Sequence, residues 1–247
     1  MPDTIWHWAS LRIAQSFIVC NVATKLRTTN FLNNKGKIMA DDPVQRTSPM
    51  TYEEVLQIIE ENAKTKATEL ELSEEFMKKV PPEIGQLTHL TSLILSYNLL
   101  PELPDEIGQL TNLIHLHIGG NKLKTLPKTI GQLTQLKILV LGDVFGGNPI
   151  SASTISSLSV IENLTNLVEL HLSSTHLTTL PFAVERLTQL KILDLRWNFL
   201  TALPKELGLL PNLEHVYVHA NHSLTFPPRE IMNKETKEML AYLREQL

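Results

Sequence analysis

The chain has 247 residues, a net charge of −4 and 43% hydrophobic residues, which is ordinary for a globular or repeat protein in water. Acidic and basic residues are interspersed, so the composition offers no basic surface for nucleic acid, and no apolar run reaches the roughly 20 residues of a membrane-spanning helix. The one cysteine, Cys20, excludes an internal disulfide and favours a reducing, cytoplasmic location.

The first 49 residues differ from the rest of the chain. They carry no repeat, and six Lys or Arg stand against three Asp or Glu. Residues 1–49 are predicted to be an irregular tail, either disordered or translated from an upstream start codon. A functional or targeting segment is the alternative. A secretory signal is disfavoured because Asp3 precedes the apolar stretch and no basic residue comes before Arg12.

A helix is predicted at residues 50–66. Thr51 is followed three residues later by Glu54, which is the capping-box pattern of a helix start. Apolar residues then recur at helical spacing, namely Tyr52, Val55, Leu56, Ile59 and Ala63. This helix is expected to cover the open end of the first coil, since a terminal coil has no neighbour on one side.

The stretch 67–231 repeats with a period of 23. Equivalent leucines follow one another in the order Leu90, Leu113, Leu136, Leu167, Leu190 and Leu213. The interval from Leu136 to Leu167 is longer than the others by eight residues, which places an insertion within 142–163. A fixed period of this length predicts a solenoid, here of about seven coils. The insertion is equally consistent with loop drift and with a partner contact.

Each coil contains the same elements in the same order. The alternation in Leu93-Ile94-Leu95 predicts a short strand, and stacked coils then form a parallel sheet. After the strand comes an Asn whose amide can satisfy backbone groups left without partners by the turn. These residues are Asn98, Asn121, Asn198 and Asn221. In the fifth coil Thr175 stands at this position, and its turn is expected to be weaker. A Leu-Pro or Val-Pro step then predicts a return through a short helical turn. Residues 232–247 are predicted to be a C-terminal cap helix with Thr236, Met239, Leu240, Leu243 and Leu247 on one face.

These motifs resemble the leucine-rich repeat family. The pattern Leu-x-x-Leu-x-Leu-x-x-Asn-x-Leu-x-x-Leu-Pro-x-x-Ile-x-x-Leu-x-x runs through residues 90–112 without a gap. The Leu-Pro and Gly-Gln-Leu-Thr segments are similar to the intracellular Ras-group and bacterial type, including the leucine-rich region of Roco proteins. The resemblance implies an α/β fold, a right-handed solenoid whose parallel sheet lies on a concave face, and recognition of other proteins by that face. The GTPase activity of Roco proteins belongs to a domain after their repeats and is not expected here.

The candidate partner-binding residues lie on the predicted concave face or its rim. Tyr, Trp and Arg dominate binding energy at protein interfaces, and they gather in the sixth and seventh coils. The predicted set is Tyr97, His117, His171, Asp194, Arg196, Trp197, Tyr217 and His219. The alternative for Trp197 is that it packs over its own turn together with Phe199. No metal site is expected, because His115 and His117 have no evident third ligand and His171 should lie roughly 10 Å away, two strand spacings.

The sequence therefore predicts a non-enzymatic scaffold that binds a protein partner, without cofactor, nucleic acid or membrane. The chain holds no Gly-Lys-Ser/Thr phosphate loop, and Cys20 lies in the tail with no base suggested for it. The alternative function is a regulatory or sensor subunit of a signalling system that binds a GTPase or another nucleotide-dependent partner.

Overall fold

The computed structural model describes residues 48–142, 148 and 158–247. Residues 1–47 and most of the 142–163 insertion lie outside these ranges, so the predictions for the tail and for the insertion stay predictions. Seven short strands form one parallel sheet in chain order within the described ranges. They are β1 Glu69–Glu71, β2 Ser92–Ile94, β3 His115–His117, β4 Ile138–Gly142, β5 Glu169–Leu172, β6 Ile192–Asp194 and β7 His215–Tyr217.

The period of the sequence becomes the register of the sheet. Leu93 pairs with Leu116 and Leu170 pairs with Leu193, each one coil away. All four side chains are 0% exposed and belong to a single apolar cluster that runs through the described coils. The predicted dry interior and the α/β solenoid fold are thereby confirmed. A coil cannot bury these leucines alone, so each coil depends on its neighbours.

The return side consists of short 3-10 helices. Their bounds are Pro82–Gln86, Asp105–Gln109, Lys128–Gln132, Ser159–Asn163, Phe182–Arg186 and Lys205–Leu209. All but the fourth follow a proline in extended conformation, because proline fixes its own φ and lacks the N–H that would extend a helix backwards. Each buries one apolar residue in its middle, for example Ile107 and Leu207, both 0% exposed.

Buried asparagines join the coils at the turns after five of the seven strands, and we call this row of residues the asparagine ladder. Asn198 donates from Nδ2 to the carbonyl oxygens of Leu172 (2.7 Å) and Leu195 (3.0 Å), and its Oδ1 accepts from the N–H of Leu177 (2.9 Å). Asn98, Asn121 and Asn221 make equivalent bonds. In the fifth coil, the Thr175 hydroxyl donates to the Leu172 carbonyl oxygen (2.7 Å).

The fourth coil has an asparagine of this ladder that the sequence pattern did not single out. Asn148 is 0% exposed; it donates to the carbonyl oxygens of Ile118 (2.8 Å) and Leu141 (2.7 Å), and its Oδ1 accepts from the N–H of Leu123 (3.0 Å). The chain therefore returns to the repeat at residue 148 inside the insertion. The extra residues leave the pairing of β4 with β5 in place, with one register shift between Val140 and Gly142.

The two ends carry helices. Helix α1 (Tyr52–Thr65) has the predicted capping box on Thr51 and Glu54, and it buries Val55 and Ile59. Tyr52 lies at the margin of the same face: it is 36% exposed, and its ring is covered by Lys79 of the first coil. At the other end, α2 (Arg229–Met232) precedes α3 (Thr236–Glu245), which buries Met239, Leu240 and Leu243.

Leu247 does not join the buried face of α3. It is 60% exposed because α3 ends at Glu245, so its predicted place on the same helix face as Met239 and Leu243 is wrong. Among the helices in the described ranges, none combines the length and the apolar character needed to cross a membrane.

Candidate functional site

The outward side chains of the strands form two parallel rows on what we call the sheet face. The first row is Glu69, Ser92, His115, Ile138, Glu169, Ile192 and His215, and the second is Glu71, Ile94, His117, Val140, His171, Asp194 and Tyr217. Ile94 and Val140 are buried but stand outside the apolar core cluster. Neighbours within a row lie one strand spacing apart, about 4.8 Å.

Four charged or titratable side chains of β5, of β6 and of the turn after β6 form what we call the ionic cluster: Glu169, His171, Asp194 and Arg196. His171 lies with Nε2 3.3 Å from Glu169 Oε2 and with Nδ1 3.7 Å from Asp194 Oδ2. Arg196 donates to both carboxylate oxygens of Asp194, from Nε at 2.9 Å and from Nη2 at 2.6 Å. Such two-point pairing is among the strongest side-chain contacts in proteins.

The cluster holds His171 in its cationic form at neutral pH. Burial alone would lower the pKa of His171, but its contacts with Asp194 and Glu169 outweigh burial and raise that pKa to about 9. Burial likewise opposes ionisation of Asp194, and its contacts with His171 and Arg196 nevertheless hold its pKa well below the usual range. The contact with His171 lowers the pKa of Glu169. Two carboxylates and two cations thus leave the cluster with no net charge.

His117 occupies the same row as His171, but its pKa is shifted in the opposite direction. Burial, with the positive charge of His171 as the next cause, lowers the pKa of His117 to about 4. Its row neighbours are Ile94 and Val140, neither of which can stabilise an imidazolium. His117 is therefore neutral at pH 7.

Aromatic rings continue the cluster towards β7. The Arg196 guanidinium carbon lies 5.4 Å from the ring centre of Tyr217, and Tyr217 stacks on His215 with centroids 6.1 Å apart and planes 5° apart. Contacts of a guanidinium with an aromatic face are stabilising. The cluster therefore extends as one connected set of side chains from β5 to β7.

Trp197 lies at the edge of the sheet face, just after β6. Its side chain is 56% exposed and its φ is 57°. A positive φ recurs at this position, directly before the ladder asparagine or its replacement, in Glu74, Tyr97, Gly120, Ser174, Trp197 and Ala220. The coil geometry imposes this conformation, which costs a residue other than glycine about 1–2 kcal/mol.

The structure brings some predicted site residues together and separates others. His171, Asp194, Arg196 and Tyr217 are in contact, and the Trp197 N–H donates to the His219 carbonyl oxygen (3.0 Å). Asp194 is only 2% exposed, so its side chain has almost no surface for direct contact with another molecule.

Two further predicted residues lie towards the N-terminal coils. His117 lies two strands from His171. Tyr97 belongs to the second coil, where its ring stands 2.5 Å from the place a Cβ on Gly120 would take.

Sequence reasoning missed two members of this set, Glu169 and His215. Both are two residues before a predicted site residue on the same strand, and strand alternation puts them on the same face. As for metals, no group of three or more His, Cys, Asp or Glu in the described part of the chain could hold an ion.

Comparisons with known proteins agree with this fold. A family model described as "Leucine-rich repeat region" matches residues 69–152. The mouse protein "Leucine-rich repeat and IQ domain-containing protein 4" is 39% identical over 82 residues, which are 33% of this chain and 13% of the mouse protein. The chain thus spans a small part of that relative.

Two solved structures extend the comparison. A leucine-rich repeat protein of Leptospira interrogans is 35% identical, with a TM-score of 0.52 over 70% of this chain and 48% of the other. A plant peptide hormone receptor in complex with RGF2 is 30% identical, with a TM-score of 0.50 over 61% of this chain and 24% of the receptor. Residues 69–152 therefore match a leucine-rich repeat family model, and the described coils together adopt the leucine-rich repeat fold.

Proposed function

We propose that this chain is a non-enzymatic scaffold that holds a protein partner on a concave sheet face, with Arg196, Trp197 and Tyr217 as the anchor. Leucine-rich repeat proteins generally act in protein interactions, and that general role is what the family match supports. The single observation that carries the anchor is the exposure of Trp197, 56% of its surface, next to a fixed Arg196–Tyr217 pair.

The anchor has the properties of an interface hot spot. Trp, Tyr and Arg are the residues whose truncation costs most binding energy. Arg196 and Tyr217 are held by the ionic cluster, so little side-chain freedom remains to be lost when a partner binds. Trp197 adds a large apolar surface beside them. Among similar structures, the plant receptor was solved in complex with RGF2, which supports a partner that is a protein or peptide.

The test replaces Trp197 by Gly in the tagged full chain. Gly is the residue the chain itself uses at the equivalent position, Gly120, with φ 67°. The substitution stabilises the fold because Gly adopts a positive φ without strain. It destabilises the fold because side-chain contacts are lost and the unfolded chain gains freedom. These effects oppose each other, so we expect the free energy of unfolding to change by less than about 1 kcal/mol. Partners are captured from source-cell extracts and quantified by mass spectrometry.

The matched control is Phe182→Ala. Phe182 is 66% exposed, but it begins the 3-10 helix Phe182–Arg186 on the return side, away from the sheet face. We expect proteins retained by the wild type and by Phe182→Ala to be lost with Trp197→Gly. Retention by all three proteins, or a melting temperature that falls by more than about 4 °C with Trp197→Gly, would show that Trp197 is structural.

We extend the proposal to location and subtype. A cytoplasmic site rests on the single cysteine among 247 residues. Membership of the Ras-group, Roco-like class rests on the Leu-Pro and Gly-Gln-Leu-Thr motifs, and so does a role in signal transduction.

A further inference from the structure

The loop edge of the sheet face carries more charged residues in the first three coils than in the last three. We use this name for the residues that directly follow each strand. In the first three coils these are residues 73–78, 96–101 and 119–124, which include Glu74, Glu75, Lys78, Lys122 and Lys124. In the last three coils they are residues 173–178, 196–201 and 219–224, where the one Asp, Glu, Lys or Arg is Arg196.

The charge of Arg196 is already compensated within the ionic cluster. Its guanidinium donates at 2.9 and 2.6 Å to Asp194, whose side chain is 2% exposed. A partner carboxylate would have to compete with this buried two-point pair. Loss of one member of such a pair leaves the other charge buried and uncompensated, which is strongly unfavourable. Arg196 is therefore poorly placed to gain a new ion pair from a partner.

The same edge carries exposed apolar surface. Trp197 is 56% and Phe199 57% exposed. The Phe199 ring lies against His176, with centroids 5.8 Å apart and planes at 51°. In the same coils, the Arg196 guanidinium lies over the Tyr217 ring. Planar groups thus make up this part of the surface.

We propose that the loop edge of the last three coils recognises an uncharged, apolar segment of a protein partner, in which Arg196 serves as a flat stacking surface and not as an ion-pair donor. The proposal rests on the function proposed above and names the chemistry of the partner at that anchor. Because Asp194 compensates the charge of Arg196, this edge offers little attraction to a charged group of either sign. Affinity then comes from the apolar area of Trp197 and Phe199.

The experiment selects binding peptides directly, so it does not require the natural partner. A display library of short random peptides is selected on the full chain and counter-selected on the Trp197→Gly variant. We expect the surviving peptides to be rich in Leu, Ile, Phe and Trp and poor in charged residues. Their dissociation constants should change less than about threefold between about 50 and 500 mM salt, since screening acts on charge pairs.

A second variant separates stacking from charge. Arg196→Lys keeps the positive charge but loses the planar group, so we expect binding of the selected peptides to weaken roughly tenfold. Selected peptides rich in Asp or Glu, binding that weakens about tenfold with salt, or full binding by Arg196→Lys would overturn the apolar chemistry while the protein-binding function stands. If no peptide distinguishes the wild type from Trp197→Gly, the proposed anchor itself fails.

Discussion

The strongest test of the ionic cluster is the substitution Asp194→Asn. The amide has nearly the shape of the carboxylate, so the change removes one charge and leaves the packing. His171 and Arg196 would then face each other as two cations with Glu169 as the remaining anion. Removing one partner of a buried ion pair typically costs about 3–5 kcal/mol, and we expect a loss of that size in the free energy of unfolding at pH 6.5.

The pH dependence of that loss follows from His171. Its pKa is about 9 in the folded chain, against about 6.5 in the unfolded chain. Between these values the folded state binds the extra proton, so stability falls as pH rises. This difference in pKa contributes about 3 kcal/mol to the free energy of unfolding. The contribution is present in full below pH 6.5 and is lost as pH rises through 9. The gap between wild type and Asp194→Asn should therefore shrink over this range.

The assay is urea unfolding of both proteins at several pH values between 6 and 10, followed by circular dichroism. The control is Glu214→Gln, which breaks the exposed Lys191–Glu214 pair (3.0 Å) and should cost less than about 1 kcal/mol. A loss with Asp194→Asn no larger than that of the control would refute the assignment of the cluster. A large loss that does not change with pH would refute the part given to His171.

Three further predictions concern the ladder and the second histidine. Asn198→Ala should cost about 4 kcal/mol in urea unfolding, because about four buried backbone groups lose a partner at roughly 1 kcal/mol each. The control Asn212→Ala removes one exposed bond to the Thr188 carbonyl oxygen and should cost less than about 1 kcal/mol. Equal losses in the two variants would contradict this prediction. Asn148→Ala should cost about 3 kcal/mol, whereas a negligible loss would show that the insertion does not complete the fourth coil. As pH drops from 6.5 through 4, the free energy of unfolding of the wild type should fall by about 3 kcal/mol more than that of His117→Gln. The reason is that His117 has a pKa of about 4 in the fold and about 6.5 in the unfolded chain, so acid favours the unfolded chain. Parallel stability curves for the two proteins would contradict this prediction.

The fold could be predicted because the apolar residues that build its core recur with a fixed period in the sequence. Leucines one period apart in the sequence became cross-strand neighbours, and the polar position after each strand became the asparagine ladder. Asn148 escaped prediction because extra residues displace it from the repeat and place it in a Gly-Gly-Asn-Pro context typical of loops. The positive φ before the ladder positions of the other six coils also escaped prediction, since the residue type there varies and only Gly120 indicates it.

Most of the side chains that come together on the sheet face could be predicted from the sequence, but their charge states could not. His171 and Asp194 are separated by one period of the repeat, so the period alone makes them neighbours. His117 and His171 look equivalent in the sequence, yet one is neutral and the other cationic in the fold. The difference comes from the row neighbours, which are apolar for His117 and include a buried carboxylate for His171. How deeply a histidine is buried, and whether a carboxylate lies close enough to stabilise its charge, depends on three-dimensional distances that the sequence does not give directly.

The geometry of a stacked coil explains why the side chains of the ionic cluster and Tyr217 lie together. A side chain on the sheet face meets residues two positions away on its own strand and residues one coil away on the next strands. The contacts of Glu169 with His171 and of Asp194 with Arg196 are of the first kind, and that of His171 with Asp194 is of the second. Tyr217, again one coil on from Asp194, receives the guanidinium of Arg196. Because the leucine period sets both kinds of neighbour, the repeat that buries the core also fixes which side chains can be assembled into a binding site.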